Sequence, residues 1–171
     1  MTGLRRAVAG DAPSLSVLAE RTFRDAFGAR NSPENMDLHC SRMFGSEIQQ
    51  REIEDPGLIT TIAESEQRMI GFSQLRPANA HASVAASRPA ELKRLYVVAE
   101  SHGLGVGRQL LQDALDAAAR EGCDVLWLGV WEHNPKAMAF YRKSGLEVVG
   151  TNAFMLGQDR QRDLVMSVKL G

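Results

Sequence analysis

Three observations predict a mixed α/β fold, with one mixed, mostly antiparallel sheet of about seven strands and helices on both of its faces. Short strands separated by turn signals recur early in the chain, as antiparallel pairing requires. Residues 125–131, VLWLGVW, form a near-continuous apolar strand, the kind buried on both faces. A long amphipathic helix precedes that strand, so a parallel crossover is the natural link into it. At 171 residues and 44% hydrophobic content the chain can bury one sizeable core but not two, and residues 1–171 are expected to be a single domain.

Residues 4–8 predict the first strand, ended by Gly10 and Asp11. Asp11 or Ser14 caps the helix that follows; Pro13 sits in its first turn, and Leu15, Leu18, Ala19 and Phe23 trace its apolar face up to a break at Gly28. Ser32-Pro33-Glu34 opens a second helix, which Gly45 interrupts, and Ser46 caps a short one through Ile53 before Pro56-Gly57 turns the chain. Residues 58–64 and 69–75 read as strands joined by a hairpin at 65–68. The Ala-rich stretch 78–90 reads as a surface loop. From Glu91 a further strand carries Leu92, Leu95, Tyr96, Val97 and Val98, with an alternation imperfect enough for a bend or bulge. After 125–131, Asn134 caps a helix that opens with Pro135 and ends at Gly145. Residues 146–149 and the alternating run 164–170 supply two more strands, the last paired antiparallel to its predecessor, with a loop at 154–162 between them.

Composition narrows the function. Twenty Lys and Arg against 21 Asp and Glu give a formal charge of -1, which removes bulk attraction to nucleic acid or to an anionic membrane. No apolar run is long enough for a membrane span and the first residues lack a secretory core, so a cytoplasmic protein is expected. Cys40 and Cys123 have no metal-ligand spacing and read as ordinary thiols, and no metal is expected.

The stretch 91–108, ELKRLYVVAESHGLGVGR, holds the chemistry. A strand runs into Gly103, Gly105 and Gly107 and then into a helix. Glycines let a ligand approach backbone N–H groups closely, and a helix N-terminus supplies such donors, so a phosphate or pyrophosphate site is expected, with a purely structural turn as the alternative. The spacing G-x-G-x-G matches neither the dinucleotide fingerprint nor the Walker loop. Further on, Asn134 and Tyr141 lie two helical turns apart and share one side of a regular helix. Each also has a plain structural role open to it, as a cap and as a core residue.

LYVVAESHGLGVGRQLL at 95–111 and LWLGVWEHNPKAMAFYRKSGLEVVG at 126–150 resemble the two conserved blocks of the GNAT superfamily of acetyl-coenzyme A-dependent N-acetyltransferases, in the same order and at the same separation. The resemblance implies a GNAT-like sheet and acetyl-CoA as cosubstrate. Leu95, Tyr96 and Val97 resemble the backbone segment that binds the acetyl and pantetheine portion. His102, Gly103, Leu104, Gly105, Val106, Gly107 and Arg108 resemble the pyrophosphate cradle, with His102 where relatives carry Gln or Arg. Asn134 resembles the capping asparagine that also meets the cofactor. Tyr141 resembles the tyrosine near the coenzyme sulfur, a general acid for the departing thiolate. Val97 N–H resembles the donor to the carbonyl oxygen.

For the base, the resemblance offers Glu91, six residues before Val97 and on its face if no bulge intervenes; a solvent-facing carboxylate and a water chain compete with it. Other relatives carry a glutamate five residues before Asn134, where this chain has Gly129. Phe154, Leu156, Gly157, Asp159, Gln161, Asp163, Leu164 and Met166 match a pattern in polyamine N-acetyltransferase-like members, and Asp25, Glu34 and Asp37 are candidate carboxylates for a polycation. A small-molecule amine is therefore the expected partner. A protein or peptide amine, needing an open groove beside the 154–162 loop, is the rival, and a non-catalytic acyl-CoA sensor is the alternative of another class. Pairing of last strands in relatives favours a homodimer.

Overall fold

The computed structural model describes all 171 residues. Its seven strands are β1 (Thr2–Arg6), β2 (Ile59–Ser65), β3 (Arg68–Arg76), β4 (Pro89–Val97), β5 (Val125–Trp131), β6 (Glu147–Leu156) and β7 (Asp159–Lys169). Helices α1 (Ala12–Phe27), α2 (Pro33–Met43) and α3 (Ser46–Glu54) fall between β1 and β2, α4 (Val106–Arg120) joins β4 to β5, and α5 (Pro135–Lys143) joins β5 to β6. The sheet order is β1-β2-β3-β4-β5-β7-β6, antiparallel throughout except for the parallel β4–β5 pair. That pair is the crossover the apolar 125–131 run predicts.

Two cores lie on opposite faces. Leu111, Ala114 and Ala118 of α4 and Tyr141 of α5 pack against Leu92, Leu126 and Leu128. On the other face Leu15, Phe23 and Phe27 of α1 and Met36 and Cys40 of α2 pack against Phe72, Trp131 and Leu156. Both thiols are free and buried.

Several expectations shift. Residues 154–162 are not a loop: β6 and β7 continue through them as a hairpin that turns at Gly157-Gln158, because Gly157 takes φ 62° and the strands pair up to Leu156 and Asp159. β7 lies between β5 and β6 and has no free edge, so pairing of two copies through it is ruled out by its own neighbours. Asp11 precedes α1 but its carboxylate binds Arg5, at 2.8 Å, and the Val8 N–H instead of capping the helix. Pro89 and Ala90 belong to β4, with Ala90 fully buried.

The irregularity in β4 shapes everything near the site. Gln74 opposes Arg94 and Leu75 opposes Leu92, leaving Lys93 as an extra residue, a β-bulge. Pairing of β4 with β5 stops at Glu91 and Trp127, just before the bulge, and the two strands diverge beyond it. Glu52 of α3 holds the bulge: it accepts from Arg94 at 2.6 Å and from Gln74 Nε2 at 2.9 Å, while Arg94 also donates to Gln74 Oε1 at 2.5 Å and lies over the Phe44 ring. The Arg94 side chain is only 9% exposed, so removing Glu52 strands a nearly buried guanidinium. Glu52→Ala is expected to lower unfolding free energy by roughly 2–4 kcal/mol in urea denaturation.

Candidate active site

Backbone geometry opens the site. Val98 N–H donates to Ile70, so the antiparallel ladder turns the polar backbone groups of Tyr96 toward β3 and those of Leu95 and Val97 away from it, into the gap where β4 leaves β5. Of the three residues the sequence proposes, Leu95 and Val97 offer backbone there and Tyr96 offers its side chain. His102 is folded back, its Nε2–H donating to the Val97 carbonyl at 2.8 Å. The imidazole thus braces the turn, and the His102 backbone N–H donates to the Ala99 carbonyl at 3.1 Å, so it is not among the free donors.

At the mouth of the gap, α4 starts behind Gly105, whose φ of 83° reverses the chain into the helix. The N–H groups of Gly103, Gly105, Val106, Gly107 and Arg108 have no hydrogen-bond acceptor inside the protein. A Cβ built at Gly103 or Gly105 would meet nothing within 4 Å, so the donors face open space. Five free N–H groups at a helix N-terminus suit a pyrophosphate. Leu104, 71% exposed, stands at the rim of this turn.

On α5, Asn134 caps the helix by accepting from Ala137 N–H at 3.1 Å. Tyr141 is 9% exposed and its hydroxyl has no partner in the protein; burial, then the neighbouring Tyr96, push its pKa above the usual tyrosine value. Tyr96 packs against Phe23 and Phe72 on the α1 face, whereas Tyr141 belongs to the core beneath α4. Tyr141 thus senses Tyr96 from the opposite face of the sheet. Burial also pushes Tyr96 up to about 12.

The result is a strand pair that opens beside a helix N-terminus, with a buried phenol in the adjoining core. The model of the "Acetyltransferase (GNAT) family" matches residues 19–146. The chain belongs to that family.

Relatives of this acetyltransferase include an uncharacterized N-acetyltransferase in the pepI 3' region of Lactobacillus delbrueckii subsp. lactis, 31% identical over 94% of this chain and 92% of that protein. Another, from Mycobacterium tuberculosis (strain ATCC 25618 / H37Rv), is 31% identical over 91% of this chain and 96% of its own length. Among solved structures, a PaiA N-acetyltransferase from Thermoplasma acidophilum in complex with coenzyme A superposes with a TM-score of 0.80 at 22% identity, covering 99% of both chains. A ribosomal-protein-alanine N-acetyltransferase from Brucella melitensis gives 0.73 at 24%, covering 98% and 99%. These two likenesses establish the shared fold.

The β4 glutamate does not lie on the face that the sequence suggests. The bulge at Lys93 reverses the alternation, so Glu91 lies on the α3 face, opposite to Leu95 and Val97. It sits at the closed end of the gap, accepting from Asn79 Nδ2 at 2.5 Å, while the Asn79 carbonyl takes the Trp127 indole N–H at 2.7 Å. Six residues of strand put it about 20 Å from Val97. Asp25, Glu34 and Asp37 are not gathered into a groove either: all three are exposed, and Asp37 is paired with Arg24 at 2.8 Å.

A different carboxylate occupies the site. Asp163 of β7 pairs across from Trp131 and lies over Gly129, where an added Cβ would fall 2.9 Å from Asp163 Oδ2. No hydrogen bond or ion pair within the protein engages it. Burial, reinforced by the Glu132 charge, raises it to about 6, and its charge reaches Tyr96. The sequence shows Asp163 only as one member of a strand-period pattern; its nearness to Gly129 needs the β5–β7 register.

Because the folded chain holds the Asp163 proton more tightly than the unfolded chain, whose value is 3.8, stability falls as pH rises from about 4 to 6 and the full penalty is present above that window. Asp163→Asn is therefore expected to stabilise the protein at pH 8 by on the order of 1–2 kcal/mol, allowing for partial solvent screening, with the gain vanishing below about pH 4. Thermal unfolding at the two pH values checks it.

Proposed function

We propose that this GNAT enzyme transfers the acetyl group of acetyl-CoA directly to a primary amine, and that the amine belongs to a small molecule, polyamines included. One observation supports the chemistry: beyond Glu91 the backbone of β4 loses its β5 partner, Tyr141 packs in the core against these two strands, and five N–H groups among residues 103–108 are free at the start of α4. Acetyl-CoA supplies a thioester carbonyl when bound. Val97 N–H then stabilises the negative charge that develops on the carbonyl oxygen, in a site where the low dielectric strengthens the interaction. Tyr141, kept protonated by its burial, gives its proton to the departing sulfur and is reprotonated through water by the proton that the amine nitrogen loses. Asn134 holds the first turn of α5 and so fixes the approach of Tyr141.

The β6–β7 hairpin limits the size of the acceptor. A protein substrate needs an open groove between the hairpin and the helices α1–α3. Instead Gln158 N–H donates to Asn35 Oδ1 at 3.0 Å, Gln161 Nε2 donates to Asn31 Oδ1 at 2.6 Å, and Gly157 lies so close to Asn35 that a Cβ would come within 2.6 Å of it. These contacts bridge the groove. A cleft of about 430 Å³ lined by Arg30, Trp131, Glu132, His133, Asp159, Arg160 and Gln161 remains, which suits a small molecule. A polypeptide acceptor would have to break the bridge first.

Release of free thiol from acetyl-CoA, followed over polyamines, amino acids, aminoglycosides and N-terminal peptides, tests the reading. Tyr141→Phe is expected to cut turnover on an accepted amine by about 100-fold or more while leaving acetyl-CoA affinity nearly unchanged. Turnover that is unaltered across pH removes Tyr141 as the acid. Acetyl-CoA binding without thiol release on any amine would mark a sensor instead.

A further inference from the structure

The amine must shed a proton before it attacks, and the carboxylate that the sequence offered for this task lies at the closed end of the gap, held by Asn79. At the open end stands one carboxylate with no partner. We propose that Asp163 is the catalytic base of this acetyltransferase, delivered from β7 into the space that Gly129 leaves on β5, on the α1 face of the sheet. The proposal rests on the acetyl-transfer reading given above.

Three features of geometry carry it. First, β5 is apolar and buried at every position except Gly129, which is exposed in the middle of the strand; the missing side chain makes a recess on the α1 face. Asp163 Oδ2 fills part of that recess, and any larger residue at 129 would strike the carboxylate. Second, Asp163 lies near the diverging part of the gap: its strand partner is Trp131, four residues beyond the last β4–β5 pair at Trp127, and the Tyr96 hydroxyl feels its charge. Third, a carboxylate at this depth normally has a cation or several donors, and the nearby cation is engaged elsewhere. Arg162 reaches Glu132 at 2.7 Å, leaving Asp163 free to meet an ammonium group.

Glu132, following β5, is the like charge that acts on Asp163; its own charge is felt by Tyr96 of β4, and Trp131 of β5 and Asn152 of β6 flank it as neutral cross-strand neighbours. His133 lies against Trp131, with ring centroids 5.3 Å apart. Burial and Glu132 hold the carboxyl near 6, ionised at neutral pH and more basic than an exposed aspartate. Two further groups extend the recess outward along the same face: the Trp131 indole N–H and Gln161 Oε1 are both buried without partners, a donor and an acceptor for the remainder of the substrate.

The bound ammonium gives one proton to Asp163, directly or through one water, and Asp163 releases it to solvent. The nitrogen lone pair forms the C–N bond at the thioester carbonyl carbon, the C–S bond breaks, and its electron pair leaves on sulfur. Tyr141 protonates that sulfur, and the second proton lost by nitrogen restores Tyr141 through water. One amide, one free thiol and one proton result.

The test compares native enzyme with Asp163→Asn and Glu132→Gln in thiol release from acetyl-CoA across pH 5 to 9. Native kcat/KM is expected to fall as pH drops through about 6. Asp163→Asn should lose about 100-fold or more at pH 8 and lose that acid limb, with acetyl-CoA affinity unchanged. Glu132→Gln should move the limb to lower pH, a shift that a merely structural aspartate would not produce. An Asp163→Asn enzyme that keeps both the limb and most of its turnover overturns the proposal. Independently of turnover, carboxyl-¹³C aspartate spectra of the enzyme saturated with coenzyme A are titrated with n-butylamine. The Asp163 signal should titrate near 6 and move with the amine; a signal that titrates in the ordinary carboxylate range and ignores the amine overturns the assignment. Failure of the acetyl-transfer reading looks different, as absence of thiol release by the native enzyme with every amine.

Discussion

The separation of β4 from β5 is the constraint on which this GNAT structure depends. A parallel pair normally continues its ladder, and stopping it leaves backbone donors and acceptors without partners. Here Lys93 is inserted into β4, the strand bends, and the Arg94–Glu52–Gln74 group locks the bend against α3. The unpaired backbone at Leu95 and Val97 becomes the surface presented to an acyl group. α4 and α5 then close one side of the opening and α1 the other. A local defect in hydrogen bonding is thus retained because it creates a polar slot through an otherwise continuous sheet.

The same logic explains the unsatisfied groups around the slot. Free N–H groups at the start of α4, two phenols without partners and an aspartate without a cation all lie near one opening. Several charges elsewhere are paired: Arg5 with Asp11 and Glu64, Arg6 with Asp113, Arg24 with Glu20 and Asp37. The unsatisfied groups near the opening contrast with these pairs. They are groups whose partners arrive with the reactants.

Much of this was legible in the sequence, for physical reasons that also set the limit. The 125–131 run could only be a strand covered on both faces, and the Ser32-Pro33 and Asn134-Pro135 pairs announce helix starts that the structure reproduces with their side-chain caps. Gly103 and Gly105 declare a backbone held at positive φ. The face of Glu91 was misread because two-residue periodicity places it with Val97 only when nothing is inserted between them, and a single extra residue reverses the answer. The 154–162 hairpin was missed because charged residues at positions 159, 160, 162 and 163 hide its strand period. Asp163 lay out of reach for a further reason: its importance comes from an empty position on another strand, 34 residues earlier.

The place of β7 has a consequence for how the protein comes to exist. It follows β6 in the chain yet inserts between β5 and β6, so the apolar edge of β5 stays uncovered until residues 159–169 have left the ribosome. Contacts that join the hairpin to Asn31 and Asn35 span 123 residues or more, which places them among the slowest to form. During synthesis, the nascent chain therefore carries a half-sheet with an open, adhesive border. The strand that covers this border also brings in Asp163, so completion of the fold and completion of the reactive centre are one event.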